Sequence, residues 1–209
     1  MNENNRPARA LIALLLAAVL APVLNGCAAL AVGGVLVGGT MVVTDRRSSG
    51  TQIDDQSIEL KAGTRVRELL GDRGSVSTTS YNRLVLITGQ VPTEADRLAV
   101  EQAVARVDNV RSTVNEVAVT GLSSLSARSN DVLLTSKVKA SLVDTKDIFA
   151  NAFKVVTERG VVYLMGRVTE REAARATEVA RGVAGVQKVV RVFEVVTEAE
   201  LEELKKIIK

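Results

Sequence analysis

The chain has 209 residues, with 27 Lys and Arg against 24 Asp and Glu, and a formal charge of +3 that is too mild to single out a polyanion as partner. One cysteine, no histidine and no tryptophan remove the commonest general base and the commonest soft-metal ligands, so ordinary hydrolase, zinc and redox chemistries, and any cofactor, are not expected. Aromatic residues make up 2% of the chain, which leaves no stacking platform for nucleic acid and requires cores built from Val, Leu, Ile and Ala.

Arg6 and Arg9 precede an apolar run over residues 10–23 that ends in Leu24-Asn25-Gly26-Cys27. A positive start, an apolar middle and a small residue before the cut spell a signal peptide. Leu24, Gly26 and Cys27 fit a lipobox, in which the Cys after the cut takes acyl chains such as palmitate. The sequence therefore predicts a secreted lipoprotein with signal 1–26 and lipidation on Cys27. The competing reading is a single-pass anchor, but the run of roughly 14 residues falls short of the about 20 that a spanning helix needs, and Pro22 sits near its end. Residues 28–43 are apolar but broken by Gly33-Gly34 and Gly38-Gly39, which fits packing on a lipid surface or on the first domain better than a span. These glycines are no phosphate loop, because no Lys-Ser/Thr follows. Gly34 and Gly38 have the spacing of a close-packing pair. Residues 44–52, with Arg46-Arg47-Ser48-Ser49-Gly50, read as a flexible polar tether that completes a lipidated N-terminal stretch over 27–52.

A repeat of about 75 residues organises the rest. Leu84-Val85-Leu86-Ile87-Thr88-Gly89-Gln90-Val91 aligns with Val161-Val162-Tyr163-Leu164-Met165-Gly166-Arg167-Val168, and, past the extra Pro92, Thr93-Glu94 aligns with Thr169-Glu170. The match runs on to Val107-Asp108-Asn109-Val110 against Val183-Ala184-Gly185-Val186. In each copy a helix comes first, over 54–70 with Ile58, Ala62, Val66 and Leu69 on one face, and over 130–142. A hairpin follows, turning at Asn82-Arg83 or at Glu158-Arg159-Gly160. Thr93-x-x-Asp96 and Thr169-x-x-Glu172 then resemble capping boxes that start second helices, and in the later one Ala173, Ala176, Ala180 and Val183 form a stripe suited to a sheet. Strands over about 110–119 and 186–196 close the units, and the parity break between Val114 and Val117 predicts a bulge or a late strand start. A strand, helix and strand in one sheet imply a right-handed parallel crossover. The fold class is thus α+β, two tandem αββαβ units over 53–120 and 129–197, each a three-stranded mixed sheet on two helices. A flexible linker over 121–128 joins them, and Thr197, Glu200 and the lysines after them predict a C-terminal helix over 198–209.

Duplicated αββαβ units with a strand-Gly-x-Val turn and a Val-x-x-Val closing strand resemble BON domains. The lipobox, Asp45-Arg46-Arg47-Ser48-Ser49-Gly50-Thr51-Gln52-Ile53-Asp54-Asp55, Ser129-Asn130-Asp131 and Leu164-Met165-Gly166-Arg167-Val168-Thr169-Glu170-Arg171-Glu172-Ala173 resemble the dual-BON outer-membrane lipoproteins. The resemblance extends to about Val196, and the Lys-ended extension departs from it. It implies a non-enzymatic envelope protein that binds anionic phospholipid and supports envelope integrity. Ala28, where an enteric lipoprotein kept at the inner membrane would carry Asp, favours the outer membrane, with the domains facing the periplasm. The alternative is a periplasmic scaffold or assembly factor that binds envelope proteins through exposed sheet edges, with lipid contact incidental.

The resemblance points to the first helix of the second unit and the loop after it, where Leu133, Leu134, Ser136, Lys137, Lys139, Lys146, Ile148 and Phe149 are the candidate phospholipid-binding residues. Leucines that dip below headgroups beside lysines that meet phosphates are what an interfacial contact requires. An ordinary solvated helix competes, because Val138, Leu142 and one leucine are needed for packing and Asp131, Asp144 and Asp147 nearly cancel the lysines. Glu94 with Asp96, or Glu170 with Glu172, pair as carboxylates, yet acidic residues are expected at helix starts without any catalytic role.

Overall fold

Each repeat folds as the spacing of its apolar residues dictates. In the computed structural model, which describes residues 45–208, the first unit comprises α1 (Ser49–Leu70), β1 (Ser75–Tyr81), β2 (Leu84–Val91), α2 (Glu94–Ala105) and β3 (Ser112–Val119). The second comprises α3 (Leu125–Val143), β4 (Phe153–Glu158), β5 (Val161–Val168), α4 (Glu170–Arg181) and β6 (Lys188–Val195), and α5 (Glu198–Ile208) follows. Two three-stranded sheets result, ordered β1-β2-β3 and β4-β5-β6, each with an antiparallel hairpin and a parallel crossover strand. The fold class is therefore the expected α+β pair of αββαβ units. The signal and lipobox with Cys27, and the apolar run 28–43, lie outside the described residues.

Residues 45–52 and 121–128 differ from their reading as flexible connections. Ser48 Oγ accepts from Thr51 N and Ser124 Oγ accepts from Ala127 N, so both serines are N-caps and both first helices start several residues early. Serine favours loops and caps for the same reason, its side-chain oxygen, and only the flanking chain decides between them. Leu70, rather than Leu69, completes the inner face of α1.

Each unit has its own core. Ile58, Ala62 and Val66 of α1 and Val100 and Val104 of α2 cover Val85, Ile87 and Val91 of β2. In the second unit Val138 and Leu142 of α3 and Ala173, Ala176 and Ala180 of α4 cover Val162, Leu164 and Val168. Alanines let α4 lie close to its sheet. Gly89, at φ +125°, lies opposite β1, and a Cβ there would meet Ser75 O at 2.0 Å. Only glycine fits this crossing.

A third cluster joins the units. Tyr81, Leu86, Tyr163, Met165 and Val192 are buried together, with Leu84, Val114, Val156, Val161 and Val190 packed against them, so the two sheets meet by the faces that carry no helices. This explains the parity break in β3. Its register against β2 is one-to-one from Ser112 to Val119, with a late start and no bulge; Val114 faces the other sheet while Val117 faces the helices of its own unit. Polar contacts rim the junction: Lys154 Nζ donates to Glu59 Oε1 at 2.6 Å and to Ser80 O at 3.1 Å, Asn82 donates to Glu194 at 2.5 Å, and Gln90 donates to Glu158. All three clusters close within residues 44–209, a compact unit with the cores needed to fold by itself.

The chain's two tyrosines, Tyr81 and Tyr163, both sit in the junction, so their emission reports on it. Tyrosine emission and far-UV circular dichroism should unfold at the same urea concentration in the parent protein. Leu86→Asp should move the tyrosine transition to lower urea, a loss of about 2 kcal/mol or more, with the helical signal lost later, because a carboxylate would be buried between the sheets.

Candidate functional site

Helix α3 turns Asp131, Leu134, Val138 and Leu142 inward. The Asp131 carboxylate accepts from Arg159 N and Gly160 N, each at 2.8 Å, and so clamps the β4–β5 turn, whose two residues have φ of 52° and 74°. Asp55 does the same for Asn82 N and Arg83 N in the first unit, also at 2.8 Å, and takes the Ser80 hydroxyl at 2.6 Å. Such double positive-φ turns suit the twist of a hairpin but strain non-glycine residues, and the clamp offsets that strain. Burial pushes the Asp55 carboxyl up, but Ser80, the two turn amides and Arg47 outweigh it and hold it below the usual carboxylate range.

The sequence-derived surface residues divide. Leu134 and Ile148 are each 7% exposed and belong to the second core, so they are packing residues rather than surface contacts; Leu134 lies on the inner stripe of α3 with Asp131 and Val138, and Ile148 packs from the segment after the helix. Leu133 and Phe149 are 54% and 58% exposed, and Ser136, Lys137, Lys139 and Lys146 are exposed as well. The Ser136 hydroxyl donates to Val132 O at 3.0 Å, which lowers its polarity toward solvent. Sequence reasoning missed Leu125, Val132 and Val143, which are 80%, 69% and 69% exposed on the outward side of α3. Their signal was the spacing Leu125-x6-Val132, two helical turns along one face, which was hidden while residues 121–128 were read as linker.

Charge also redistributes. Asp131 is buried in its clamp, and Asp147 faces Arg175 at 3.4 Å while its backbone oxygen accepts from Arg171 at 3.0 Å. Two of the three acids read as cancelling the lysines are thereby occupied. Lys137, Lys139 and Lys146 make no ion pair among the described residues. The outward side of α3 is an apolar ridge with uncommitted cations on both flanks.

At the other end of the site, Asp45-Arg46-Arg47 bridges both units. Arg46, 6% exposed, donates two parallel bonds at 2.7 Å to Glu172 and a third at 2.9 Å to Arg167 O. Its guanidinium lies 6.0 Å from the centroid of the Phe149 ring. Arg47 stacks over Tyr81 at 4.3 Å and pairs with Asp45 at 2.6 Å and Asp55 at 2.8 Å. Glu172 also accepts from Thr169 N at 3.0 Å as the capping-box partner of α4. Burial raises its carboxyl, yet the Arg46 guanidinium and the Thr169 amide more than compensate and hold it below its ordinary 4.5. Glu170 and Glu172, set beside each other in sequence as a carboxylate pair, have separate duties: Glu170 meets Arg191 at 2.6 Å.

The sequence matches the BON domain family over residues 54–121 and 130–197. It is 36% identical over 184 residues to the Haemophilus influenzae outer membrane lipoprotein DolP, covering 87% of this chain and 94% of that one. It is 32% identical over 151 residues to the 21 kDa hemolysin of Actinobacillus pleuropneumoniae, covering 71% and 78%. Identity to the osmotically-inducible protein Y of Escherichia coli is 26% over 159 residues, covering 72% and 77%.

Arg46→Ala should lower the unfolding free energy by about 3 kcal/mol in urea titration, because it strands a buried carboxylate. Since the folded Glu172 carboxyl lies below 4.5, its contribution is complete above that pH and is lost as pH falls toward the folded value. Stability should therefore drop on acidification below 4.5 in the parent protein, and less steeply in Glu172→Gln.

Proposed function

The chain belongs to the BON-domain family, as a two-domain relative of the outer membrane lipoprotein DolP, and from that premise we propose that it is itself an outer-membrane lipoprotein. In this reading Cys27 carries the acyl anchor, the domains face the periplasm, and the second BON domain lays α3 on anionic phospholipid in support of envelope integrity. No reaction is catalysed. The outward side of α3 carries the proposal: Leu125, Val132 and Val143 stand exposed in a row, with Leu133 about a quarter turn away, beside Lys137 and Lys139. Exposed apolar residues flanked by lysines that make no ion pair among the described residues suit burial at the headgroup boundary. Each unpaired lysine adds about 1 kcal/mol near an anionic surface. Phe149 and Lys146 extend the surface beyond the helix.

Acyl chains contribute about 0.8 kcal/mol per buried CH₂, so attachment rests on Cys27 and the domain contact governs orientation and lipid preference. The lipobox and the name of the relative support the anchor. The apolar junction between the sheets leaves neither inner face for another protein, although β1, β3, β4 and β6 remain sheet edges.

A fragment of residues 44–209 removes the anchor from the measurement. It should float with vesicles containing anionic phospholipid and stay behind with purely zwitterionic ones. Val132→Asp with Val143→Asp should lower that recovery about tenfold, from lost apolar burial and added repulsion. Equal recovery with both vesicle types would turn the reading toward a protein scaffold.

A further inference from the structure

Each three-stranded sheet has two edges, and the two copies treat them differently. Val196 N donates to Val168 O at 3.0 Å, so in the one-to-one parallel register the even-numbered residues of β6 bond to β5. Arg191, Phe193 and Val195 therefore turn their N–H and C=O groups away from the sheet. Thr120 N donates to Val91 O at 3.0 Å, which sets the same phase in β3 and turns Asn115, Val117 and Val119 outward. Leu84 aligns with Val161 in the repeat, so by register Asn115 corresponds to Arg191 and Val117 to Phe193.

Both edges of the first sheet are blocked by side chains. Asn115 Oδ1 accepts from Val117 N at 3.2 Å, while its Nδ2 donates to Arg97 O and to Glu101, so this side chain folds back over the edge of its own strand. On the other edge Glu59 accepts from Ser80 N at 2.7 Å and Lys154 donates to Ser80 O at 3.1 Å. In β6 the residue at the blocking position is Arg191, which has no acceptor, and its guanidinium is drawn to Glu170 at 2.6 Å. No side chain or loop bonds the outward backbone groups of β6 among the described residues. β4, the remaining edge, has no exposed residue, whereas Lys188, Arg191 and Val195 of β6 are exposed. A cavity of about 250 Å³ lies on the junction side of β6, lined by Val192 and Glu194 together with Tyr81, Leu84 and Arg111 of the first unit. Cations surround this edge: Lys188 makes no ion pair among the described residues, and Arg191 and Arg111 keep part-exposed guanidiniums beside Glu170 and Glu194. Glu194 is shared among Asn82, Arg111 and Arg167.

We propose that β6 is a strand-addition site for an extended segment of another protein, one that alternates apolar and acidic residues. The segment becomes a fourth strand of the second sheet and exchanges main-chain bonds with Arg191, Phe193 and Val195. Every second side chain then lies on the junction side, where an apolar one enters the cavity against Tyr81, Leu84 and Val192. The intervening acidic side chains lie beside Arg191, in the positive field to which Lys188 and Arg111 contribute. The first sheet is closed to the same partner because Asn115 and Glu59 already occupy its edge amides. β6 lies across the sheet from β4, on which α3 packs, so this inference stands apart from the phospholipid reading.

The probe is a short capped peptide in which valine and glutamate alternate about a central phenylalanine, added to the 44–209 fragment. Tyrosine emission, which Tyr81 reports from the cavity wall, should saturate with a dissociation constant below about 1 mM, and amide resonances of residues 189–195 should shift most. A peptide of the same composition with its glutamates in one block should bind about tenfold more weakly, because it cannot present one apolar face. Arg191→Asn, which copies the block of β3, should weaken the alternating peptide about tenfold or more, whereas Arg191→Ala removes the same charge, leaves the edge open and should cost less than about threefold. Arg191 is exposed, so the urea midpoint should stay unchanged in both. Val195→Pro deletes one outward N–H without touching the ladder to β5 and should weaken binding in the same direction. Absence of saturation up to about 1 mM, equal binding of the blocked-charge peptide, or equal effects of Arg191→Asn and Arg191→Ala would overturn strand addition. Sedimentation that shows dimers of the parent fragment, dissolved by Arg191→Asn, would overturn the foreign segment in favour of a second copy of this chain on the same edge.

Discussion

Each three-stranded sheet in this protein has two apolar faces and only one pair of helices to cover them. The uncovered faces carry Tyr81, Leu86, Tyr163 and Met165, all nearly inaccessible to solvent, because they bury each other. A domain of this size has little apolar area to spare, and leaving such a face in water would forfeit a large part of its stabilisation. The second copy is therefore a structural partner of the first as much as a functional duplicate. It also fixes geometry: α3 has a defined place relative to Arg46 and Arg47, where the described chain begins.

Buried polar groups are handled with few residues. Asp55 and Asp131 use the same carboxylate geometry to hold strained hairpin turns, and Arg46 satisfies Glu172, which already caps α4. Every one of these acids has its lone pairs occupied, so none contributes a free negative charge at the surface. For Asp131 that occupation removes one counter-charge from beside the lysines of α3. The electrostatic character of the outward surface is set from inside the fold.

The copies have diverged in the use of one shared scaffold. In the first unit Lys61 pairs with Asp108 and Arg83 with Asp54, and α1 anchors the Arg47 bridge. The second leaves Lys137, the counterpart of Lys61, without an ion pair among the described residues, while the first helices of both units present apolar residues outward. An acyl anchor supplies adhesion in the proposed function, so a weak and selective contact through one unit is sufficient, and the other unit is free to act as support.

The sequence by itself determined the duplication, the αββαβ order, the hairpin turns and the Thr93 and Thr169 N-caps, of which only Thr169 with Glu172 closes a full capping box, because these depend on residue spacing within one element or between neighbours in the chain. The region of α3 was pointed to by the family resemblance, while its residues alone read as well as an ordinary solvated helix. The sequence did not show that Leu134 and Ile148 belong to the core, since adjacent leucines on a helix look alike until the sheet beneath selects one. Ser48 and Ser124 read as parts of flexible connections, and Arg46 read as part of a polar tether because its partners Arg167 and Glu172 lie more than a hundred residues away. The parity break at Val114 was visible, but its cause, a second sheet on the open face, was not. Only tertiary structure decided which apolar residues face inward and which acids are already engaged, because both depend on contacts between segments remote in sequence.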